Sequence, residues 1–125
     1  MNYILDSNIL IYYLRGDLKL RDFLADFKVK SLGISLVSRM EVLIGRGEKA
    51  QSVDDICRFL DIFDNFTVDR KIIDRAVLIF QENRKKLKFK DLLIAATAQE
   101  KNLILITADK DFRNIKGLDV QLYGF

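Results

Sequence analysis

The chain has no histidine and a single cysteine among its 125 residues. Without imidazole, histidine general acid–base catalysis, serine–histidine and cysteine–histidine nucleophile pairs, and histidine-ligated zinc are all excluded. Cys57 alone cannot close an intrachain disulfide. It falls within "VDDICRFLDIF", where apolar residues recur at helical spacing, and reads as a buried, inert thiol in a reducing compartment. Long apolar runs are absent as well. No segment reaches the roughly eighteen apolar residues of a membrane span, and the N-terminus lacks a basic region followed by a long apolar stretch. A soluble, cytoplasmic protein with no membrane partner is the expectation. The net charge of +3 adds only a slight bias toward anionic partners. Any hydrolytic chemistry must therefore rest on carboxylates, lysines, hydroxyls or a hard metal ion.

Half of the residues are hydrophobic, enough for one compact domain spanning 1–125 that buries roughly two-thirds of its unfolded surface. "NYILD" and "LGISLVS" read as buried strands, "FTV" as a brief one, and "LILIT" and "VQLYGF" as the last two. Between them, "LRDFLADFK", "SRMEVLIGRG", "SVDDICRFLDIFDNF" and "DRKIIDRAVLIFQENRKKL" carry helical spacing, with breaks at Gly16 and at Gly45 or Gly47. "KDLLIAATAQEKN" is apolar on nearly all sides and predicts a buried helix. Alternating strands and helices predict an α/β domain with a mainly parallel central sheet of about five strands. Ligands of such sheets bind outside the carboxyl ends of the strands, where strand order reverses.

Four acids fall at that edge. Asp6 closes the first strand, Glu41 lies in the helix after the second, Asp91 opens the buried helix, and Asp109 follows "LILIT". Each has a structural explanation. Asp6, Ser7 and Asn8 are good N-caps, Ser38 to Glu41 forms an S-x-x-E capping box, Asp91 suits a first helical turn, and Asp109 suits a turn cap. Together, however, four converging carboxylates repel one another and need cations to stay ionised. Carboxylate oxygens without imidazole or thiolate suit Mg²⁺ or Mn²⁺, which activates water and neutralises phosphate charge. Hydrolysis of a phosphodiester is the chemistry this points to. Ser7, Asn8 and Thr107 are polar neighbours able to orient such acids or a bound water, and Asp111 is a spare acid beside Asp109.

The strongest charge feature is "RKKLKFK", in which Arg84, Lys85, Lys86, Lys88 and Lys90 lead into Asp91. Such a run is commonly a solvated face, yet here it approaches an acidic site that would otherwise repel a polyanion, and phosphate contacts would give it sequence-independent RNA affinity. Arg15, Arg39 and Arg46 are further candidates. Phe89, set among the lysines, either stacks on a base or anchors the segment to the core.

"ILDSNILIYYL", "ISLVSRMEVLIG", "KDLLIAATAQEKNLILITADKDF" and "GLDVQLYGF" together resemble the PIN-domain ribonucleases, specifically the VapC-type toxins of toxin–antitoxin pairs. The resemblance covers essentially the whole chain in the right order. It implies a PIN-like three-layer α/β/α fold, and it assigns Asp6, Glu41, Asp91 and Asp109 to an acidic metal site supported by Asn8 and Thr107. Ser7 stands where the family more often has threonine, and Asp109 is preferred over Asp111 as the fourth acid. It further implies Mg²⁺- or Mn²⁺-dependent endoribonuclease activity on transfer or ribosomal RNA. Homodimerisation, for which Tyr12 and Tyr13 would offer an exposed face, and inhibition by a cognate VapB-type antitoxin whose C-terminal segment enters the active-site groove complete the expectation.

Two other enzyme classes with an acidic pocket at the same sheet edge fit less well. A phosphoacceptor receiver domain needs paired acids after the first strand, where Asp6 is followed by Ser7. A haloacid-dehalogenase-type phosphatase needs a second aspartate where Asn8 stands. The alternative from a different class is a catalytically silent PIN-like module that binds RNA or protein without cutting.

Overall fold

Alternation along the first strand divides the interior in two. In β1 (Tyr3–Leu5), Ile4 joins one buried cluster and Leu5 the other, and in β4 (Ile104–Thr107) Leu105 and Ile106 repeat the split. A computed structural model describes residues 2–45, 52–83 and 87–124. With β2 (Leu32–Ser35), β3 (Asp64–Phe66) and β5 (Val120–Leu122), these strands form one sheet in the order β3-β2-β1-β4-β5, every neighbouring pair parallel.

Helices cover both faces, as a wholly parallel sheet requires. On one side lie α1 (Ser7–Leu14), α2 (Leu18–Ala25) and α4 (Val53–Leu60), which contribute Ile9, Leu10, Leu20, Ile56 and Leu60, joined by Val42 of α3 (Leu36–Gly45). On the other lie α5 (Arg70–Asn83) and α6 (Phe89–Lys101), with Ile72, Ile79, Ile94, Ala95 and Ala98. The expected three-layer α/β/α arrangement with five parallel strands is therefore present. Gly16 lets the chain reverse after α1 through a positive φ of 84°. Gly33 is needed for a different reason: the Phe66 ring lies where any β-carbon would stand.

Local boundaries depart from the sequence reading at several points. The second strand stops at Ser35, because the Ser35 Oγ accepts the Val37 N–H at 3.1 Å and starts α3 there. Ser38 consequently lies inside the helix, fully buried, and the capping box expected between Ser38 and Glu41 does not form. The third strand covers "DNF" rather than "FTV". Asn65 donates to the carbonyls of Leu60 and Phe63 at 3.0 and 2.8 Å, which closes α4 early and turns the chain directly into β3. Cys57 is half-buried beside Arg39 instead of fully enclosed. Gly47 lies outside the described residues.

Candidate active site

From β1 the chain builds β2 and β3 to one side and then returns to place β4 against β1's other edge. The order of strands thus reverses between β1 and β4, and the residues that leave these two strands flank the crevice. The Asp6 N–H donates to the Ile106 carbonyl at 3.0 Å, continuing the ladder one step past the strand.

The Thr107 hydroxyl organises this point. It donates to Asp6 Oδ2 at 2.7 Å and accepts the Asp109 N–H at 3.0 Å. Asp6 is the N-cap residue of α1, and its Oδ1 accepts the Ser7 N–H at 2.8 Å, so capping and site geometry coexist in one carboxylate. Asn8 spans the same gap: its Oδ1 accepts the Ala108 N–H at 3.3 Å and its Nδ2 approaches Thr107 Oγ1 at 3.5 Å. Asp6, Ser7 and Thr107 are all buried. Asp109 caps the 3₁₀ turn Lys110–Phe112 by accepting the Asp111 N–H at 2.8 Å, which gives Asp109 a fixed orientation and puts Asp111 within the turn itself.

Glu41 and Asp91 enter from α3 and α6. Asp91 is buried in the first turn of α6, and its carboxyl is pushed up to about 6 by burial first and then by Asp6, Asp109 and Glu41, against the opposing pull of Lys90. Burial likewise raises Asp6, with Thr107 and Ser7 countering through their hydrogen bonds and Glu41 adding repulsion. Asp6, Asp109 and Glu41 therefore act on Asp91 through space, and Glu41 acts on Asp6.

The cations sort into distinct groups. Lys90 Nζ donates to Glu41 Oε2 at 2.6 Å, so this lysine serves the acidic cluster itself. Arg39 bonds Asp61 at 2.7 Å and Asn65 at 3.0 Å and ties α3 to the end of α4. Lys88 is exposed at the N-cap of α6, and Arg15 is exposed at the end of α1. Arg46, Arg84, Lys85 and Lys86 lie outside the described residues. Phe89 does not anchor the segment. Leu87 fills the core, and Phe89, two residues on, is 82% exposed between Lys88 and Lys90.

The donor set suits a hard divalent cation: every candidate ligand is a carboxylate oxygen, and Glu41 Oε1 is buried with no hydrogen-bond partner. Such an ion would also relieve the repulsion felt by Asp91. Among the described residues no three of these acids are gathered closely enough to hold an ion, and Lys90 occupies one oxygen of Glu41.

The family model described as "PIN domain" matches residues 3–118. The chain belongs to the PIN-domain family. Comparison with curated proteins gives no match. Among solved structures, a chain of a toxin–antitoxin complex from Klebsiella pneumoniae is 33% identical, with a TM-score of 0.83 over 94% of this chain and 95% of that one. A chain of the VapBC2 complex from Rickettsia felis, bound to a DNA fragment from its promoter, is 21% identical with a TM-score of 0.81, covering 99% of this chain and all of that one. A chain of DNA-bound VapBC from Salmonella typhimurium is 18% identical with a TM-score of 0.82, covering 99% of each chain. The last two likenesses are likenesses of fold. PIN membership carries a nuclease role with it.

In this PIN domain two features of the site escaped the sequence reading. Lys90 belongs with Glu41, a partner 49 positions away that no local pattern indicates. Ser38, three residues before Glu41 on α3 and fully buried, has an Oγ without a partner, so two unpaired oxygens sit one helical turn apart at the same end of the sheet. Tyr12 and Tyr13 are not an exposed face. Both are half-buried against the second core, and Tyr13 stacks on Phe59 with Arg21 4.7 Å from its ring centroid. Exposed apolar side chains do form rows elsewhere, on α3 (Leu36, Met40, Ile44) and on α5 (Ile73, Val77, Phe80).

Proposed function

We propose that this PIN domain is a VapC-type toxin, an endoribonuclease that hydrolyses RNA phosphodiester bonds with Mg²⁺ or Mn²⁺ held by Asp6, Glu41, Asp91 and Asp109. The observation that carries this reading is geometric: Asp109 and the buried Asp6 are tied together by the Thr107 hydroxyl at the β1–β4 crevice, and α6 brings the buried Asp91 to the same edge. A structural role explains one capping acid at a time; it does not explain why Asp6 and Asp91 are both buried at the edge where Asp109 is also held. The bound ion would lower the pKa of a water and neutralise charge on the scissile phosphate.

This chain's own residues supply the rest. Thr107 holds Asp6 Oδ2 and the Asp109 backbone in one frame, and Asn8 braces the same corner. Asp91 sits in the first turn of α6, where the helix dipole favours the carboxylate. Lys88, together with Arg84, Lys85 and Lys86, would contact phosphates, and exposed Phe89 offers a ring to an unstacked base. Single-stranded regions of transfer or ribosomal RNA are the substrate class that fits, since stacking needs an unpaired base.

The partners follow from the same reading. A cognate VapB-type antitoxin is supported by the Klebsiella relative, which at 33% identity is part of a toxin–antitoxin complex. A homodimer is supported by the apolar rows on α3 and α5, which a second copy of this chain would cover through a two-fold axis. The reading as a silent binding module has one observation in its favour, the occupation of Glu41 by Lys90. Cleavage assays separate the two: Asp6→Asn removes Mg²⁺-dependent cleavage in an enzyme and alters nothing measurable in a binder. Equal fragment yields from the two proteins would refute the assignment of Asp6.

A further inference from the structure

Lys90 stands where helix electrostatics oppose it. It is the second residue of α6, at the positive end of the helix dipole, where a cation is disfavoured. Its placement is explained by the acids around it: the ammonium bonds Glu41 Oε2 at 2.6 Å and is further attracted by Asp91 and Asp6. Only one oxygen of Glu41 is used. Oε1 remains buried and unpartnered. The lysine side chain is 39% exposed, against 22% for Glu41, so it has a path to solvent on a flexible four-carbon stem and can leave without disturbing α6.

We infer that Lys90 is a built-in competitor for the divalent cation at Glu41, so that this chain fills part of its own metal site until the ammonium is displaced. The inference rests on the metal-dependent reading above. Lys90 pairs with Glu41 in the metal-free protein and so offsets part of the charge that the acids bring to this edge of the sheet. Once displaced, it remains beside Asp91 at the rim of the crevice, where a phosphate would meet it. Metal affinity is thereby set lower than the four acids alone would give.

The test is a calorimetric titration of the full chain with MnCl2, comparing the natural protein with Lys90→Met, Lys90→Gln, Lys90→Arg and Lys88→Met. Loss of a charged hydrogen bond to Glu41 should tighten Mn²⁺ binding by about tenfold in the Met and Gln variants. The Gln variant keeps the test open if the Met variant does not fold. Lys90→Arg should bind no tighter than the natural protein, and Lys88→Met, which removes an equal charge without touching Glu41, should change affinity by less than about twofold. Adding Glu41→Gln to Lys90→Met should abolish the gain. If Lys90→Met and Lys90→Gln bind Mn²⁺ no tighter than the natural protein, or if Lys88→Met gains as much, the competitor role is overturned while the metal site stands. If neither the natural protein nor any variant binds Mn²⁺, both the inference and the metal-dependent reading fall.

Discussion

The Thr107 hydroxyl donates to Asp6 Oδ2 at 2.7 Å across 101 positions of sequence, joining the two residues that leave β1 and β4. The same oxygen accepts the Asp109 N–H, so one side chain sets two of the four acids. Thr107→Val keeps the shape and removes the hydroxyl. It should destabilise the fold by about 1–3 kcal/mol, because Asp6 and the Asp109 amide each lose a buried partner. Thr107→Ser, which keeps the hydroxyl, should retain most of the stability and the cleavage activity. Urea unfolding and an RNA cleavage assay on both variants check this. A Val variant as stable and active as the Ser variant would remove Thr107 from the site.

The metal-free protein should lose stability as pH rises from about 4 to about 6. Asp91 has a folded pKa of about 6 against an ordinary 3.8, so within that window the native state binds more protons than the unfolded chain, and unfolding free energy falls with increasing pH. Asp6, also raised, adds to the same trend. Saturating Mg²⁺ should reverse the slope by favouring the ionised acids. Denaturant midpoints measured across the window in chelator, with Asp91→Asn as the flattened control, decide it. A midpoint that climbs with pH in chelator would contradict the assigned burial of Asp91.

Phe89 separates recognition from folding. Being 82% exposed and one residue from the Lys90–Glu41 pair, it should be replaceable by Ala with a stability change within about 0.5 kcal/mol. RNA affinity should nevertheless fall by about 1–3 kcal/mol if a base stacks on the ring. Fluorescence anisotropy with a single-stranded RNA in Ca²⁺ or chelator measures binding without cleavage. Unchanged affinity would leave Phe89 with no part in RNA recognition.

The apolar row on α3 makes an assembly prediction. Met40→Glu, at the centre of Leu36, Met40 and Ile44, should convert a dimer to a monomer without unfolding it, since Met40 is exposed in the single chain. Sedimentation velocity on the two proteins reports the change. A natural protein that sediments as a monomer at tens of micromolar would rule out a second copy as the cover for this row.

Much of this was legible in the sequence because it is local. Acids just past buried strands, Asp6 immediately after β1 and Asp109 two residues after β4, are located by the strand itself, and the Ala-rich run of α6 announces a largely buried helix. What was not legible depends on which of several equivalent local choices the tertiary structure selects. Ser35 and Ser38 are both good caps, and packing of β2 against β1 decides in favour of Ser35. Leu87 and Phe89 are both able to anchor the approach to α6, and only Leu87, ahead of the Lys88 N-cap, turns inward, while Phe89 starts the helix on its exposed side. The pairing of Lys90 with Glu41 depends on α3 and α6 meeting, a contact that charge patterning along the chain does not encode.

The central claim is that Asp6, Glu41, Asp91 and Asp109 act together as a metal-dependent ribonuclease site. Its most direct test is cleavage of a total transfer RNA preparation by the natural protein and by Asp6→Asn, each with Mg²⁺ and with excess chelator, after matched circular dichroism confirms both are folded. The account predicts discrete fragments only from the natural protein with Mg²⁺. Cleavage that persists in Asp6→Asn, or in chelator, would contradict it.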